Sequence, residues 1–258
     1  MSRLAVILLL LAGIHSASGQ TSTRSADGFD FPVAPPNAFG FYKSRGFRAN
    51  GHLGEDWVTD GGSAKGFGLP VCAIGNGVVV LARDIHVGWG NVVIVRHAWI
   101  EHRQLQFADS LYAHLDRIRV REGQQVKKGQ QIGNIGNNHG MYPPHLHFEM
   151  HKDLSIGVNH AQGTRDLRSY WIPTDFILAH RRLSGGGHNV PIPKPAFLLP
   201  TPDHPWSLPH YFWLHQFHAQ HPHGHHSKYP SESSTHSGSH SHHHSGSHHK
   251  KTHPNHSE

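Results

Sequence analysis

The six residues HLHFEM, His145 to Met150, combine two imidazoles and a carboxylate with alternating apolar side chains. Side chains of a strand alternate between its two faces, so His145, His147 and Glu149 would share one face. Imidazole nitrogens and carboxylate oxygens are zinc ligands. The stretch therefore predicts either a strand with a metal site on its polar face or an amphipathic strand whose histidines meet solvent.

A metal site needs more donors than one strand supplies, and a second histidine lies with an aspartate far upstream. GHLGEDW contains His52 and Asp56 among glycines that allow a sharp bend. Two histidines and an aspartate suit zinc and leave a fourth position open. The HxxxD spacing alone is a weak signal, and HLGED is not the helical HExxH pattern. His114, in LYAHLDRI, completes a set of four histidines and one aspartate.

The elements that must position these residues are short β-type runs separated by glycines, over about residues 39–180. Such spacing predicts a mainly β domain of antiparallel strands joined by tight turns. One short helix is predicted at Pro173 to Ala179, with Thr174 or Asp175 as its N-cap.

The N-terminal segment has the three-part pattern of a secretory signal: Arg3, an apolar run over residues 4–14, and small residues ahead of Gln20. The apolar run is shorter than the roughly 20 residues that span a bilayer. We therefore expect an exported protein, periplasmic or extracellular, without a membrane anchor. The predicted organisation is a signal peptide at 1–19, a lead-in at 20–36, a catalytic domain at 37–183, a Pro/Gly-rich linker at 184–203 and a His-rich tail at 204–258.

The C-terminal tail is of low complexity. Histidine makes up 17 of the 55 residues from 204 to 258, mixed with serine, glycine and lysine. This composition predicts disorder, because too little apolar surface is available to offset ordering entropy. Dense imidazoles predict additional weak binding of divalent metals, and an inert tail is the alternative.

Overall composition restricts the remaining function classes. Cys72 is the single cysteine, so no intrachain disulfide can form, and its apolar neighbours predict a buried thiol. Lys and Arg outnumber Asp and Glu by 23 to 17, which favours loose attraction to anionic polymers. No nucleic-acid-binding motif is present, and we expect a monomer.

Five blocks of the sequence, and the order in which they follow one another, resemble the lysostaphin-type (LytM-like) zinc endopeptidases that cleave peptidoglycan cross-links. The blocks are GHLGEDW, LPVCAIGNGVVV, GWGNVVIVRH, LYAHLDRIRVREGQQVKKGQQIGNIGN and PHLHFEM. The resemblance covers about residues 40–180 and implies a LytM-like, barrel-sandwich-hybrid arrangement of antiparallel sheets with long loops. It implies that His52, Asp56 and His147 bind Zn2+. It also implies catalytic roles for His114 and His145, without deciding which of them is the base.

The resemblance thus implies a secreted zinc endopeptidase that hydrolyses peptide cross-links of bacterial peptidoglycan through a zinc-activated water. One alternative is a catalytically silent wall-binding or metal-binding protein on the same fold. Another is a carrier module, because GQQVKKGQQIG resembles the hairpin of lipoyl-type and biotinyl-type domains. The loop before HLHFEM departs from the family pattern and leaves substrate choice open; it contains His139, Met141, Tyr142, Pro143 and Pro144.

Other polar and aromatic residues receive simpler interpretations. Glu149 is predicted either to orient a ligand or to form a surface ion pair. His97 and Asn91 are assigned to strand-end packing and turn formation. Trp57 and Tyr112 are assigned to the core by default, with the lining of the cleft as the alternative. Four more histidines are predicted to be exposed to solvent: His86, His102, His151 and His160.

Overall fold

The structure is a computed structural model that describes residues 21–48, 51–86, 88–158 and 167–195. The predicted signal peptide, the His-rich tail and His160 lie outside the described residues. Within the described ranges, no helix is both long enough and apolar enough to cross a bilayer.

Strands dominate these ranges, as the glycine-punctuated β pattern predicts, and all of their pairings are antiparallel. The mainly β fold class is thereby confirmed. In the described ranges the strands are β1 (Ser22–Arg24), β2 (Phe41–Arg45), β3 (Glu55–Thr59), β4 (Pro70–Cys72), β5 (Gly77–Asp84), β6 (Asn91–Glu101), β7 (Gln104–Ile118), β8 (Gln125–Val126), β9 (Gln131–Ile135), β10 (Leu146–His151), β11 (Tyr170–Trp171) and β12 (Asn189–Pro191). The helices are α1 (Ser63–Gly66) and α2 (Pro173–Ala179), with irregular helical turns at Ala34–Ala38 and Leu167–Ser169.

One large sheet positions the candidate site. Its strand order is β2–β3–β10–β7–β6–β5–β8, with β11 beside β10 and with β9 beside β7 and β4. Strand β10 lies between β3 and β7, and His147 pairs with Asp56 on one side and with Ala113 on the other. Antiparallel register therefore brings two residues that are 91 positions apart onto neighbouring strands.

Strand β10 has the predicted alternation, but both of its faces are buried. Leu146, Phe148 and Met150 are fully buried in the main hydrophobic core. The polar face is also covered, and the prediction that His151 is exposed is wrong because its side chain is completely buried. Strand β11 pairs with this end of β10, and the ring of Tyr170 lies 5.2 Å from that of His151.

The segments that flank the predicted catalytic domain pack onto its core. Strand β1 pairs with β12, with Thr23 opposite Val190. Phe29 is fully buried, and its ring contacts those of Trp99 and Phe176 edge-on at 5.7 and 4.9 Å. Described parts of the lead-in and of the Pro/Gly-rich segment therefore contribute to the fold.

Helix α2 has the predicted bounds, but the predicted side-chain cap is wrong. The N-cap residue is Ile172, so neither Thr174 nor Asp175 is the N-cap. Thr174 instead donates its hydroxyl to Glu55 Oε2 at 2.8 Å and its backbone N–H to Glu55 Oε1 at 3.2 Å. A buried carboxylate from β3 thus satisfies the helix N-terminus, where negative charge is favourable.

The stretch GQQVKKGQQIG does not form the carrier-like hairpin that its sequence suggests. Its two strands have different partners, because β8 pairs with β5 whereas β9 pairs with β4 and β7. Cys72, at the end of β4, is a buried free thiol as predicted.

Candidate metal centre

The three predicted zinc ligands meet at one point. His52 lies in the loop before β3, Asp56 lies in β3, and His147 lies in β10. Asp56 Oδ1 is 3.0 Å from His52 Nε2 and 2.9 Å from His147 Nδ1, and the two ring nitrogens are 3.1 Å apart. All three residues are buried. The structure therefore brings together donors from two distant stretches of the chain.

In each ring, the partner of the outer nitrogen determines the tautomer. His52 Nδ1 lies 2.9 Å from the carbonyl oxygen of Gly46, which can only accept, so Nδ1 carries the proton. His147 Nε2 lies 2.8 Å from Glu149 Oε1 and donates to that carboxylate. The inner nitrogen of each ring therefore faces Asp56 and is the one that would supply a lone pair to a cation bound there.

The separations of these donor atoms fit a zinc ion. Tetrahedral zinc with bonds of 2.0 to 2.1 Å keeps its ligand atoms roughly 3.3 Å apart. The three observed separations lie between 2.9 and 3.1 Å, close to one face of such a tetrahedron. One carboxylate and two neutral imidazoles are also a suitable donor set for zinc.

Gly54 allows the loop before β3 to approach β10. A Cβ atom at this position would lie 2.6 Å from the carbonyl oxygen of Phe148 and 2.9 Å from His147 Cε1. Any side chain here would push the loop away from the strand that supplies the third donor. Gly54, the second glycine of GHLGED, is thus needed for close packing beside the centre.

Glu149 is a buried partner of the centre and does not form the surface ion pair considered above. Its Oε1 accepts from His147, and its Oε2 lies 2.6 Å from His151 Nε2. Burial opposes the charge of Glu149, but hydrogen bonds from both histidines lower its pKa to about 2. Burial likewise opposes the charge of His147, but hydrogen bonds to Asp56 and Glu149 raise its pKa to about 9. The carboxylates of Asp56 and Glu149 therefore favour positive charge at the metal centre.

His114 and His145 stand beside the three donors, with ring centroids 4.8 Å apart. The backbone N–H of His114 and its Nδ1 both face the carbonyl oxygen of Trp89, at 3.0 and 3.1 Å. His145 Nδ1 lies 2.8 Å from the carbonyl oxygen of Pro143. In both rings Nδ1 therefore carries the proton, and Nε2 remains as the acceptor.

Burial keeps both of these histidines in their neutral form. Burial is the main cause that lowers the pKa of His114 well below its usual value, and burial also lowers the pKa of His145. Each ring is therefore neutral at pH 7. His145 Nε2 lies 3.7 Å from Asp56 Oδ1, at the edge of the donor cluster.

A cleft of about 220 Å³ opens onto this cluster. All five predicted residues line it, together with three larger side chains that the motifs did not identify as functional: Arg45, Trp89 and Tyr142. Tyr142 belongs to the bulky loop noted in the sequence, and its ring lies 5.0 Å from that of His114. Trp89 lies within the GWGN block, whereas no local sequence signal identified Arg45.

The residues assigned to packing do have structural partners. His97 is fully buried, where its Nδ1 lies 2.9 Å from the carbonyl oxygen of Asn76 and its Nε2 lies 2.7 Å from Ser110 Oγ. Asn91 donates to the carbonyl oxygens of Leu115 and Asp116, directly after His114. Trp57 and Tyr112 lie in the main hydrophobic core.

Replacing Glu149 with glutamine is expected to weaken zinc binding by about 10- to 100-fold, the usual effect of losing the partner of a ligating histidine. Glutamine keeps the size of the side chain but removes the charge that orients His147. Competition with a chromophoric chelator measures the affinity. Glu122→Gln, at an exposed residue paired with Arg83, is the matched control. Equal affinities for Glu149→Gln and the unmodified protein would contradict this role.

Comparison with known proteins gives consistent similarities. A model described as peptidase family M23 matches residues 50–161. The peptidoglycan DD-endopeptidase ShyA of Vibrio cholerae is 37% identical over 99 residues, which are 38% of this chain and 20% of ShyA. Lipoprotein NlpD of Yersinia enterocolitica is 39% identical over 83 residues, which are 32% of this chain and 77% of NlpD. The chain therefore spans about a fifth of the length of ShyA.

Among solved structures, the antimicrobial peptidase lysostaphin from Staphylococcus simulans is 26% identical to the chain. The superposition covers 54% of this chain and 50% of lysostaphin, with a TM-score of 0.39.

Proposed function

The chain belongs to peptidase family M23, and we propose that it is a zinc-dependent endopeptidase that hydrolyses peptide cross-links of bacterial peptidoglycan. The observation that carries this proposal is the convergence of three zinc-type donors beside two neutral histidines in one cleft. The residues matched by the family model, 50–161, include all five of these side chains.

His52, Asp56 and His147 would hold the metal. Zinc supplies Lewis acidity there, and it can lower the pKa of water from 15.7 to about 7. At about 1.36 kcal/mol for each pKa unit, that change corresponds to roughly 12 kcal/mol in access to hydroxide. A positioned base contributes about 10²- to 10⁴-fold, or roughly 3 to 5 kcal/mol. A zinc ion held by these three ligands would therefore provide the larger part of the rate acceleration, and His114 and His145 would provide a smaller part.

His145 and His114 would move the protons. In the proposed mechanism, Nε2 of His145 accepts the proton of the attacking water, while the carbonyl of Pro143 and the carboxylate of Asp56 stabilise the resulting positive charge. His114 is held in the same way by the carbonyl of Trp89. Because its Nε2 has no proton at rest, His114 would first have to gain the proton that His145 takes from the water, across a ring-centroid distance of 4.8 Å. It would then stabilise the oxyanion and pass that proton to the leaving amine.

The walls of the cleft fit a charged peptide. Arg45 supplies a positive charge beside the donor cluster, whereas Trp89 and Tyr142 supply aromatic surface. A peptidoglycan stem peptide carries carboxylates that Arg45 would attract. The signal-like pattern of residues 1–19 supports export to the compartment where such a substrate lies.

The test is digestion of defined cross-linked muropeptides by the purified full chain, with mass spectrometry of the products. Hydrolysis of a cross-link separates the two stem peptides and adds one water. We expect a chelator to abolish product formation and stoichiometric zinc to restore it. A folded protein that binds zinc at the centre but releases no fragments would support the catalytically silent alternative instead.

A further inference from the structure

A second group of metal-type donors lies outside the catalytic centre, on the two segments that carry the cleft-lining residues Trp89 and Tyr142. Asp84 Oδ2 is 3.2 Å from His86 Nδ1 and 2.9 Å from His139 Nε2. One donor atom from each residue lies within 4.8 Å of the other two. We propose that Asp84, His86 and His139 form a second divalent-cation site that joins two walls of the cleft.

The carboxylate of Asp84 is oriented for this role. Its Oδ1 accepts the backbone N–H of His86 at 2.8 Å, so Oδ2 is directed towards the two rings. The separations of 2.9 and 3.2 Å are close to the roughly 3.3 Å expected between ligands of a tetrahedral ion with 2.0 Å bonds. Side-chain exposures of 76% for His86 and 55% for His139 allow both rings to adjust and leave space for water ligands.

The donor set defines the class of cation. Two imidazoles with a single carboxylate suit zinc, copper and nickel. Calcium and magnesium prefer six or more oxygen ligands, which these three residues do not supply. The donor set therefore favours borderline transition-metal ions, the class that also suits the donors of the catalytic centre.

The proposed site connects two segments that support catalytic side chains. Asp84 ends β5, and the segment that follows it leads to Trp89, whose carbonyl holds His114. His139 lies in the loop between β9 and β10, and this loop also carries Tyr142. The two segments touch, since a Cβ atom on Gly90 would lie 2.5 Å from Asn138 Oδ1. A cation held by all three donors would fix these walls relative to each other.

Backbone conformation guides the choice of variants. His86 and His139 have φ values of 59° and 54°, in the left-handed region that few non-glycine residues adopt. Asparagine tolerates this region better than alanine does. His139→Asn and His86→Asn therefore remove an imidazole with little backbone penalty. His102 is exposed and has a φ of 49°, so His102→Asn is the matched control.

The experiment measures hydrogen exchange of the full chain against free zinc, with zinc set by a chelator buffer so that the His-rich tail cannot deplete it. The amides of residues 84–86 and 137–142 are followed by mass spectrometry. We expect protection in two steps, the first as the catalytic centre fills and the second at higher free zinc. At ten times the dissociation constant of the second site, local opening should be suppressed about tenfold.

The second step identifies the site independently of hydrolysis. His139→Asn and His86→Asn should lose the second step and keep the first, and His102→Asn should keep both. A single step in the unmodified protein would overturn the proposal, as would a second step that persists in both variants. Because no enzymatic activity is measured, failure of the proposed endopeptidase function would not change this outcome.

Discussion

Replacing His147 with alanine is expected to abolish both zinc binding at the catalytic centre and hydrolysis of peptidoglycan. The substitution removes one of three donors and leaves Asp56 and His52 to hold the ion alone. It also leaves Glu149 buried without one of its two histidine partners. Since a zinc ion at this centre would contribute roughly 12 kcal/mol in access to hydroxide, turnover should fall to the background level.

Two measurements establish this result. Zinc content is determined by elemental analysis after dialysis at a buffered free-zinc concentration too low for weak imidazole sites, and turnover is determined with defined muropeptides. His188→Ala, which removes an exposed histidine, should retain both properties. Circular dichroism shows whether the variant is folded. A folded His147→Ala protein that retains equimolar zinc under these conditions would exclude the assigned ligand set.

The features predictable from sequence depended on short-range patterns. The alternation in HLHFEM predicted the two faces of β10, and the glycine-separated runs predicted antiparallel strands. Pro173 marks the start of α2, because proline is favoured at the first helical position. The family resemblance was carried by ordered motif blocks and is confirmed by the match over residues 50–161.

The features that sequence could not supply depend on tertiary contacts. His151 resembles a solvent-exposed histidine in sequence, but β11 covers it and Glu149 binds it. Thr174 resembles an N-cap, but its hydroxyl donates a hydrogen bond to Glu55 from a distant strand. The tautomers of His114 and His145 depend on the carbonyls of Trp89 and Pro143, which no side-chain pattern reveals.

The second donor cluster shows the same limitation. His86 was predicted to be a solvent histidine and His139 to be part of a bulky loop, and both are exposed. Their significance depends on Asp84, which lies 55 positions before His139 and reaches it only after β5 and the loop before β10 are in place. Metal ligands from separate loops have no fixed spacing, so a motif search cannot find this cluster.

Replacing His145 with alanine is expected to separate metal binding from turnover. His145 Nε2 lies 3.7 Å from Asp56 Oδ1, so His145 is placed beside the ligands but not among the three converging donors. Zinc content should therefore remain equimolar at the centre. Loss of a positioned base should lower kcat by about 10²- to 10⁴-fold. Zinc analysis and single-turnover kinetics on the same preparation test both parts.

His114→Ala shows whether the two neutral histidines have separate roles. Both rings accept at Nε2 and their centroids are 4.8 Å apart, so each could partly replace the other as a base. If His145 is the base and His114 is the later proton donor, both single variants should be slow. The fold loss of turnover in the double variant should then be no larger than the product of the two single fold losses, because the two histidines act in consecutive steps. Full turnover in His145→Ala would exclude it as the base and would leave His114 in that role.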